Sequence, residues 1–446
     1  MNYLLKCDNM PKKRGEIAME FETLKKSHVK RNIIIGAVGV LIISAIILNF
    51  TRAKYRVTES IPLVNGTINY SLPDLNIVGL YIDGEEATEL DSDKIYTLDT
   101  TQSTCTYKDG TEIPDLNISY DSETGGLSIS PYTAKGTKCT LYFEETVLVR
   151  DTLLTNYPTQ LTRSSFSSTV TNTTTGTIYY ADTSKGRTYY FAGNPTDNWV
   201  RWAGFYWRII RINEDGTIRM IYQGTSANTT GSNTQTQTSA FNSSYNNNMY
   251  VGYMYQSNQP HGLQEDSTIK GILDTWYQNN LARYADDLDG NAGFCGDRTP
   301  YSGTGTGTST TYYGAYNRLN TNKAPTFECA SDSDLYTTSG SSDGNKALTY
   351  PIGLISADEV AYAGGVWVTN NTSYYLYTGQ NYWTMSPSYY NSSYTYPARV
   401  FLVDTSGGLA YDWVGNSWGV RPVINLKADV QISTGSGTSS NPYVIS

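Results

Sequence analysis

Histidine, the side chain most often used for proton transfer and metal binding near neutral pH, occurs only twice, as His28 and His261. His28 precedes a predicted membrane span, so His261 is the one histidine of the predicted outer part. A site that needs several histidines is therefore excluded there. We expect His261, alone in a polar loop, to be solvated.

Four of the five cysteines follow the predicted span: Cys105, Cys139, Cys295 and Cys329. Four thiols allow three pairings, and pairing neighbours along the chain keeps each bridge within one predicted domain. We therefore predict the disulfides Cys105–Cys139 and Cys295–Cys329, with free buried thiols as the alternative. Cys7 precedes the span, on the side where thiols stay reduced.

Acidic residues supply the remaining candidates for catalysis. Asp358 and Glu359 are the best pair for an enzyme that uses carboxylates, although Glu359 also fits a helix cap that begins at Ser356. The segment 287–291 (Asp-Leu-Asp-Gly-Asn) resembles half of a calcium loop, but its glycine stands at the fourth position and no closing Glu follows. We predict a turn there, and we expect no metal, no cofactor and no enzymatic activity.

The charge distribution limits the possible partners. The formal charge is −9, and the first 31 residues, with eight basic and four acidic side chains, contribute +4, which leaves −13 for the remaining chain. Nucleic-acid binding requires clustered Lys and Arg that neutralise phosphates. The composition therefore excludes nucleic acid as a partner.

Residues Ile33–Phe50 are almost all apolar. Eighteen residues in a helix extend about 27 Å, enough to cross the hydrocarbon core of a membrane. Basic residues are more numerous before this run than after it, which favours a cytoplasmic N-terminus. We predict a cytoplasmic tail (1–31), a single transmembrane helix (32–50) and a stalk (51–65), with residues 51–446 outside the cell. A cleaved signal peptide is the alternative.

Short runs of strand-forming residues recur between residues 66 and 148, separated by turn signals such as Asp83-Gly84. This spacing is typical of an immunoglobulin-like β-sandwich. We assign residues 66–148 to such a domain, with the role of a spacer. Residues 149–178 are assigned to a connector and residues 179–446 to a third domain.

The third domain combines strands with helices, so we expect the fold class α+β. Its first hairpin is indicated within residues 205–222 by the Asp215-Gly216 turn. Apolar residues at helical spacing predict a helix that begins after Ser267. A second helix is predicted over residues 357–363, because a capping box precedes it and two glycines follow it.

The stretch Val366–Lys427 is rich in tyrosine, serine and asparagine and carries few charges. Three runs interrupt it and predict strands: Tyr382–Met385, Arg399–Val403 and Trp418–Leu426. Loops of Tyr, Ser, Asn and Gly have the composition of a recognition surface, because Tyr offers a large contact area with few torsions to immobilise. A β-domain whose loops merely avoid Lys and Glu is the alternative.

The order of four motifs in this stretch, YWTMSPS, ARVFLVD, GGL and WGVRPVINL, resembles the C-terminal half of the C-type lectin-like fold. It is most similar to the variant in formylglycine-generating and sulfatase-modifying enzymes, whose domains end in a Gly-aromatic-Arg strand. Gly419, Val420 and Arg421 stand in that place, and we expect Arg421 to bind a carboxylate or a carbonyl group. The wider sequence resembles membrane-anchored surface proteins of Gram-positive gut bacteria.

The resemblance implies the fold of these enzymes without their chemistry. Formylglycine generation needs a late pair of cysteines, and none follows Cys329. The calcium motifs of sugar-binding lectins, Glu-Pro-Asn, Gln-Pro-Asp and Trp-Asn-Asp, are also missing. We therefore expect a cell-surface adhesion protein that binds an extracellular protein or glycan. The predicted ligand-binding residues are Tyr374, Tyr375, Tyr389, Tyr390, Asn391, Tyr394, Tyr396, Trp413 and Asn416.

Fold and loop composition also resemble the variable proteins of diversity-generating retroelements, in which mutation of template adenines scatters Asn codons into Tyr, Ser and Asp. Such residues are concentrated in Asn370–Tyr377, Ser388–Tyr396 and Tyr411–Ser417. The resemblance implies loops that vary on a constant scaffold. Tyr and Asn are also abundant elsewhere, as in Asn242–Tyr255, which is the alternative explanation.

Protease added to intact cells is expected to remove the Tyr-rich domain and leave a small anchored fragment, because residues 51–446 are predicted to lie outside the membrane. Immunoblotting against both ends of the chain measures this, with a cytoplasmic protein as the control for intact cells. Full protection of the Tyr-rich domain would reverse the predicted orientation.

Overall fold

A computed structural model describes residues 75–91, 94–122, 125–131, 136–146 and 148–445. The predicted tail, transmembrane helix and stalk, together with Cys7 and His28, lie outside these residues. In the part that the structure describes, no helix is long and apolar enough to span a membrane. The described chain is mostly β-sheet with few helices, which make up 15% of it.

The chain divides between residues 146 and 147 into two compact units. The strands of the N-terminal unit are β1 (Leu75–Ile82), β2 (Glu85–Glu86), β3 (Ile95–Leu98), β4 (Thr104–Tyr107), β5 (Asn117–Asp121), β6 (Gly126–Ser130) and β7 (Thr137–Thr146). The order in the main sheet is β2-β1-β7-β3, and β4 also pairs with β7. β1 runs parallel to β7, whereas β5 and β6 form a separate hairpin.

The core of this unit is apolar and contains the first predicted disulfide. Leu141 and Phe143 of β7 are buried together with Tyr96. Cys105 and Cys139 are directly paired residues of β4 and β7, and their sulfurs are bonded across a Cα–Cα distance of 4.1 Å. The prediction of this disulfide is confirmed, and short strands are present where strand-forming runs recur between turn signals.

The C-terminal unit is larger and contains both strands and helices. Its described strands are β8 (Thr159–Leu161), β9 (Thr177–Thr183), β10 (Gly186–Tyr190), β11 (Trp199–Trp202), β12 (Phe205–Ile212), β13 (Ile218–Gly224), β14 (Gln237–Ser239), β15 (Met254–Tyr255), β16 (Glu265–Asp266), β17 (Phe294–Cys295), β18 (Pro300–Ser302), β19 (Thr311–Tyr313), β20 (Leu335–Tyr336), β21 (Tyr382–Tyr390), β22 (Ala398–Val403), β23 (Leu409–Trp413), β24 (Trp418–Val420), β25 (Val423–Leu426), β26 (Ile432–Thr434) and β27 (Tyr443–Ile445).

Its helices in the described part are α1 (Val149–Asn156), α2 (Thr268–Asn280), α3 (Gly314–Tyr316) and α4 (Ala357–Ala363). The helix α3 continues as a π-helical turn over Asn317–Asn322. Short 3-10 turns lie at Gly231–Thr234, Asn248–Val251, Ala282–Asp287 and Asp332–Asp334.

Two sheets organise the C-terminal unit. The first sheet has the order β26-β27-β11-β12-β10-β9-β8, with β13 paired to β12 and β25 paired to β13. The second sheet has the order β14-β24-β21-β19-β18, with β22 paired to β21 and β23 paired to β22. Trp207 of the first sheet and Trp383 of the second are completely buried in one shared core. Strand residues that are buried in this core include Trp207, Ile209, Trp383, Val400, Val420 and Val423.

The two predicted helices are present with their predicted caps. The Ser267 side chain accepts a hydrogen bond from the Lys270 backbone N–H at the start of α2. At α4, the Ser356 side chain accepts from the Glu359 N–H, while the Glu359 carboxylate accepts from the Ser356 N–H. Gly364 ends this helix in the left-handed conformation, with φ of 113°, which glycine adopts without a steric penalty.

Two further features follow their sequence signals. Cys295 and Cys329 form the second predicted disulfide, with their Cα atoms 5.4 Å apart. Segment 287–291 is a turn in which one Asp289 oxygen accepts from the backbone N–H groups of Asn291 and Ala292, both at 2.7 Å. This agrees with the preference for a turn over a calcium loop.

Residues 149–178, predicted as a connector, instead belong to the C-terminal unit. Val149 and Leu153 are four residues apart, so they share one face of α1, and both are buried in the main core. The Arg163 guanidinium then donates to the carbonyl oxygens of Ala361 and Tyr362, both at 2.9 Å. The Ser/Thr-rich composition concealed these few anchoring side chains.

Arg421 lies where the chain passes from β24 in the second sheet to β25 in the first. It is 1% exposed, and its guanidinium donates to the Tyr222 carbonyl at 3.0 Å and to the Gln223 side-chain oxygen at 2.6 Å. The guanidinium carbon of Arg421 lies 4.7 Å from the centre of the Tyr382 ring. The prediction that Arg421 binds a carbonyl group is therefore confirmed.

Arg421→Lys is expected to lower the free energy of unfolding by about 2 kcal/mol, because an ammonium group cannot reproduce the planar fork and leaves buried acceptors unpaired. Urea unfolding of the purified protein measures this change. The matched control is Arg187→Lys at an exposed ion pair with Asp182, where we expect less than about 0.5 kcal/mol. Equal effects of the two substitutions would contradict the role given to Arg421.

Candidate ligand-binding face

Four side chains form a row across four strands of the second sheet. Tyr312 on β19 is paired with Tyr389 on β21, Tyr389 with Arg399 on β22, and Arg399 with Trp413 on β23. Paired residues on adjacent strands project from the same face of a sheet. The pairing therefore places three aromatic rings and one guanidinium group in a line on one face.

Further aromatic rings extend this row on both sides. Tyr411 lies two residues before Trp413 on β23, and its ring centre is 4.9 Å from that of Tyr389. The Trp367 ring stacks on Tyr411 at 5.0 Å. Near the other end of β23, the Tyr396 and Trp413 rings are stacked at 4.1 Å. We call the following set the aromatic face: Tyr245, Tyr312, Tyr316, Trp367, Tyr389, Tyr394, Tyr396, Tyr411 and Trp413.

Arg399 lies in the middle of the aromatic face. Its guanidinium carbon is 5.4 Å from the ring centre of Tyr394 and 5.7 Å from those of Tyr389 and Tyr411. Its Nε is buried and has no hydrogen-bond partner among the described residues. In that part of the chain Arg399 forms no ion pair with a carboxylate, and the half-buried guanidinium group lies against the surrounding rings.

The predicted ligand-binding residues differ in how far the structure exposes them. Tyr394 and Tyr396 are 50% and 41% exposed, and Trp413 is half-buried beside them. Asn391 and Asn416 are also half-buried. The Asn391 side-chain oxygen accepts from the Ser393 N–H in a turn, and the Asn416 amide donates to Asp412 at 2.6 Å. These two Asn side chains therefore hold loops in place.

Four of the residues predicted to bind ligand are at most 5% exposed: Tyr374, Tyr375, Tyr389 and Tyr390. A shared exposed face that includes Tyr374, Tyr389 and Tyr390 is therefore not present. Tyr374 and Tyr375 belong to the main core. The strand β21 extends to Tyr390, so the expected loop begins later, and successive residues of a strand project to opposite faces. Tyr389 is therefore a buried member of the aromatic face, whereas the Tyr390 hydroxyl donates to the Asn246 carbonyl inside the unit.

Arg399 and five rings of the aromatic face were missed: Tyr245, Tyr312, Tyr316, Trp367 and Tyr411. The alternation of Tyr411 and Trp413 was an available signal, because residues two apart on a strand share a face. Tyr245 and Tyr312 are distant in the sequence, and nothing in their surroundings pointed to this surface.

A pocket of about 220 Å³ lies elsewhere in the same unit, beside the Cys295–Cys329 disulfide, and several of its lining side chains are charged. The Glu359 carboxylate lies between two guanidinium groups, 2.5 Å from Arg219 and 3.2 Å from Arg211. Next to it, Arg318 lies between two carboxylates, 2.6 Å from Asp297 and 2.8 Å from Asp358.

The charged groups of this pocket largely compensate one another. Burial opposes the ionisation of Glu359, but Arg219 and Arg211 lower its pKa below the usual range. Both Glu359 oxygens are engaged, since the second accepts from the Ser356 N–H. Burial raises the pKa of Asp297 to about 6, with Arg318 lowering it and Asp358 raising it.

His261 is not the solvated loop residue that the sequence suggested. Its Nδ1 lies 3.0 Å from the carboxylate of Asp334, and its side chain is 30% exposed. Asp334 is completely buried and also binds the Arg298 guanidinium at 2.8 Å. His261 was mispredicted because this carboxylate is 73 residues away in the chain.

Comparison of the chain with known protein families, with curated proteins and with solved structures returned no match. The case for a function therefore depends on the geometry of the aromatic face and of the pocket.

Between pH 4 and pH 6 the Asp297 carboxyl is expected to make the protein less stable as the pH rises. Folding raises the pKa of Asp297 from its ordinary value, near 4, to about 6. The folded state therefore binds more protons than the unfolded state in this window, and the stabilisation present below it is lost as the pH passes 6. Urea unfolding across this range measures the effect.

Asp297→Asn is expected to reduce that decline, because the amide does not titrate. The matched control is Asp182→Asn, since the Asp182 pKa is lowered by its hydrogen bond to Arg187 and this substitution leaves the decline in place. An unchanged decline in the Asp297→Asn protein would contradict the assignment.

Proposed function

We propose that this is a membrane-anchored cell-surface binding protein whose aromatic face contacts an extracellular protein or glycan. The observation that supports this most directly is Arg399, which has no ion-pair partner among the described residues and lies against the exposed ring of Tyr394, the half-buried ring of Tyr411 and the buried ring of Tyr389. Clustered exposed rings on a folded domain are typical of interaction sites. Tyr, Trp and Arg are also the residues that contribute most to binding energy in protein interfaces.

The proposal includes a C-type lectin-like fold for the C-terminal unit. The order of its elements supports this, since the hairpin β12–β13 and the helices α2 and α4 precede the strands β21–β25. For the N-terminal unit we propose an immunoglobulin-like spacer with an altered arrangement. Its disulfide joins paired residues of one sheet, whereas the conserved bridge of antibody domains connects two sheets.

Diversification by a retroelement is a further part of the proposal. Tyr394, Tyr396 and Asn391 lie in one turn-rich segment between β21 and β22, where substitutions would leave the strands unchanged. Diversification requires that the genome contain, next to the gene for this protein, a reverse-transcriptase gene and a near-copy of the 3′ coding segment. A chain without them would be a binder of fixed specificity.

An envelope enzyme that uses Asp358 or Glu359 is the alternative, and the pocket of about 220 Å³ would provide its substrate site. A catalytic carboxylate needs an oxygen that is free to exchange a proton. Asp358 instead accepts from Arg318 and from the Thr326 N–H, and both Glu359 oxygens are engaged. We therefore favour binding over catalysis, and over a purely structural role in the envelope.

Tyr394→Ala combined with Trp413→Ala is expected to weaken ligand binding at least tenfold, because two rings of the aromatic face are lost. The full-length protein in detergent is first screened on arrays of extracellular proteins and of glycans. The affinity of the captured ligand is then measured by surface plasmon resonance for the unmodified protein and for the double variant.

The matched control is Tyr180→Ala, which removes a half-buried ring from the first sheet. Thermal unfolding shows whether the double variant is folded. Binding that is unchanged by the double substitution in a folded protein would remove the aromatic face from the proposal. Turnover of an envelope polymer that depends on Glu359 would favour the enzyme.

A further inference from the structure

Arg399 differs from Arg187 and Arg208, two other arginines that stack on rings. Arg187 lies 4.0 Å from the Tyr180 ring centre and binds Asp182 at 2.8 Å. Arg208 lies over Trp199 and donates to the Pro195 carbonyl. Arg399 also lies against rings, but its buried Nε donates to no acceptor among the described residues. The residue is half-buried, and no carboxylate in the described part of the chain pairs with its charge.

A ligand that covers the half-buried Arg399 removes water from its guanidinium group, which is unfavourable unless the ligand also accepts its hydrogen bonds. The guanidinium group is planar and keeps its charge, and its parallel N–H groups match the two oxygens of a carboxylate. The surrounding rings restrict the torsions of Arg399 before binding, which lowers the entropy lost on binding. The ligand group that this arrangement fits is a single carboxylate.

Val368 indicates what surrounds that carboxylate. It follows Trp367 of the aromatic face, its backbone N–H donates to the Leu409 carbonyl on β23, and it is 67% exposed. Its φ of 44° is unusual for a β-branched residue. An exposed aliphatic residue that directly follows Trp367 in the chain favours a ligand with apolar groups of its own, as a protein surface has.

The overall charge also favours a protein over an acidic polysaccharide. The chain after residue 31 carries a formal charge of −13, so a polyanion would be repelled at long range. A protein can present one carboxylate within an otherwise apolar contact. Such an interface would have an aromatic and apolar centre with one desolvated ion pair.

We propose that the aromatic face binds a protein partner that places one Asp or Glu carboxylate against the Arg399 guanidinium and covers Val368 with apolar side chains. This inference rests on the proposed function, because it names the class of ligand for the same face.

The test uses a display library of random disulfide-constrained peptides, selected on the full-length protein in detergent. The enriched peptides are expected to share an Asp or Glu next to apolar residues. Replacing that residue by Asn or Gln, or making Arg399→Gln, is expected to weaken binding about 30-fold, which corresponds to about 2 kcal/mol. Arg399→Lys is expected to recover part of the affinity, since it keeps the charge without the fork.

The matched control is Arg187→Gln, which removes another ring-stacked arginine and should leave the affinity within about twofold. The inference is overturned if no peptide is enriched, if the acidic residue or Arg399 is dispensable in folded variants, or if only acidic oligosaccharides bind. If the Tyr394/Trp413 variant loses binding but Arg399→Gln does not, this inference is wrong and the proposed function stands. If neither substitution affects binding, the proposed function is wrong as well.

Discussion

The hydrogen bonds of Arg421 join the two sheets on which the C-terminal unit depends. The residue lies between β24 and β25, where the chain leaves the second sheet and enters the first. Its acceptors, Tyr222 and Gln223, are on β13, while the ring beneath it, Tyr382, is on β21. A buried charge is stable only when its donors are satisfied, so this crossing tolerates few alternative arrangements. The aromatic face is carried by the second sheet, and its position over the core depends on this junction.

Tyrosine has two separate roles in this protein. The chain has 39 Tyr and 10 Phe, and many tyrosines fill the core as phenylalanine would. Their hydroxyl groups then reach backbone carbonyls, as Tyr382 does at Leu376 and Tyr253 does at Ile352. Other tyrosines, such as Tyr394, stay at the surface. A high local density of Tyr therefore indicates a contact surface only after strand register has separated the two groups.

The charged residues of the pocket and of the aromatic face differ in the groups that surround them. In the pocket, Glu359 is held by two arginines and Arg318 by two aspartates, so the buried charges stabilise one another. In the described part of the chain, Arg399 has aromatic neighbours in place of a counter-ion. The first arrangement is complete within the chain, whereas we propose that a ligand completes the second, which is why we assign binding to the face and a structural role to the carboxylates.

Local signals in the sequence determined the elements and their ends. The caps at Ser267 and Ser356, the Asp215-Gly216 turn and the alternation of apolar residues act within a few positions, and these elements are present as predicted. The disulfide pairs also followed, because each closes a loop within one unit. The tertiary structure decided which tyrosines are exposed, because β21 continues to Tyr390 and its register with β22 places Tyr389 beside Arg399. It also joined residues distant in the chain, such as Tyr245 with Trp413 and His261 with Asp334. Such contacts depend on strand order and pairing, which no short stretch of sequence specifies.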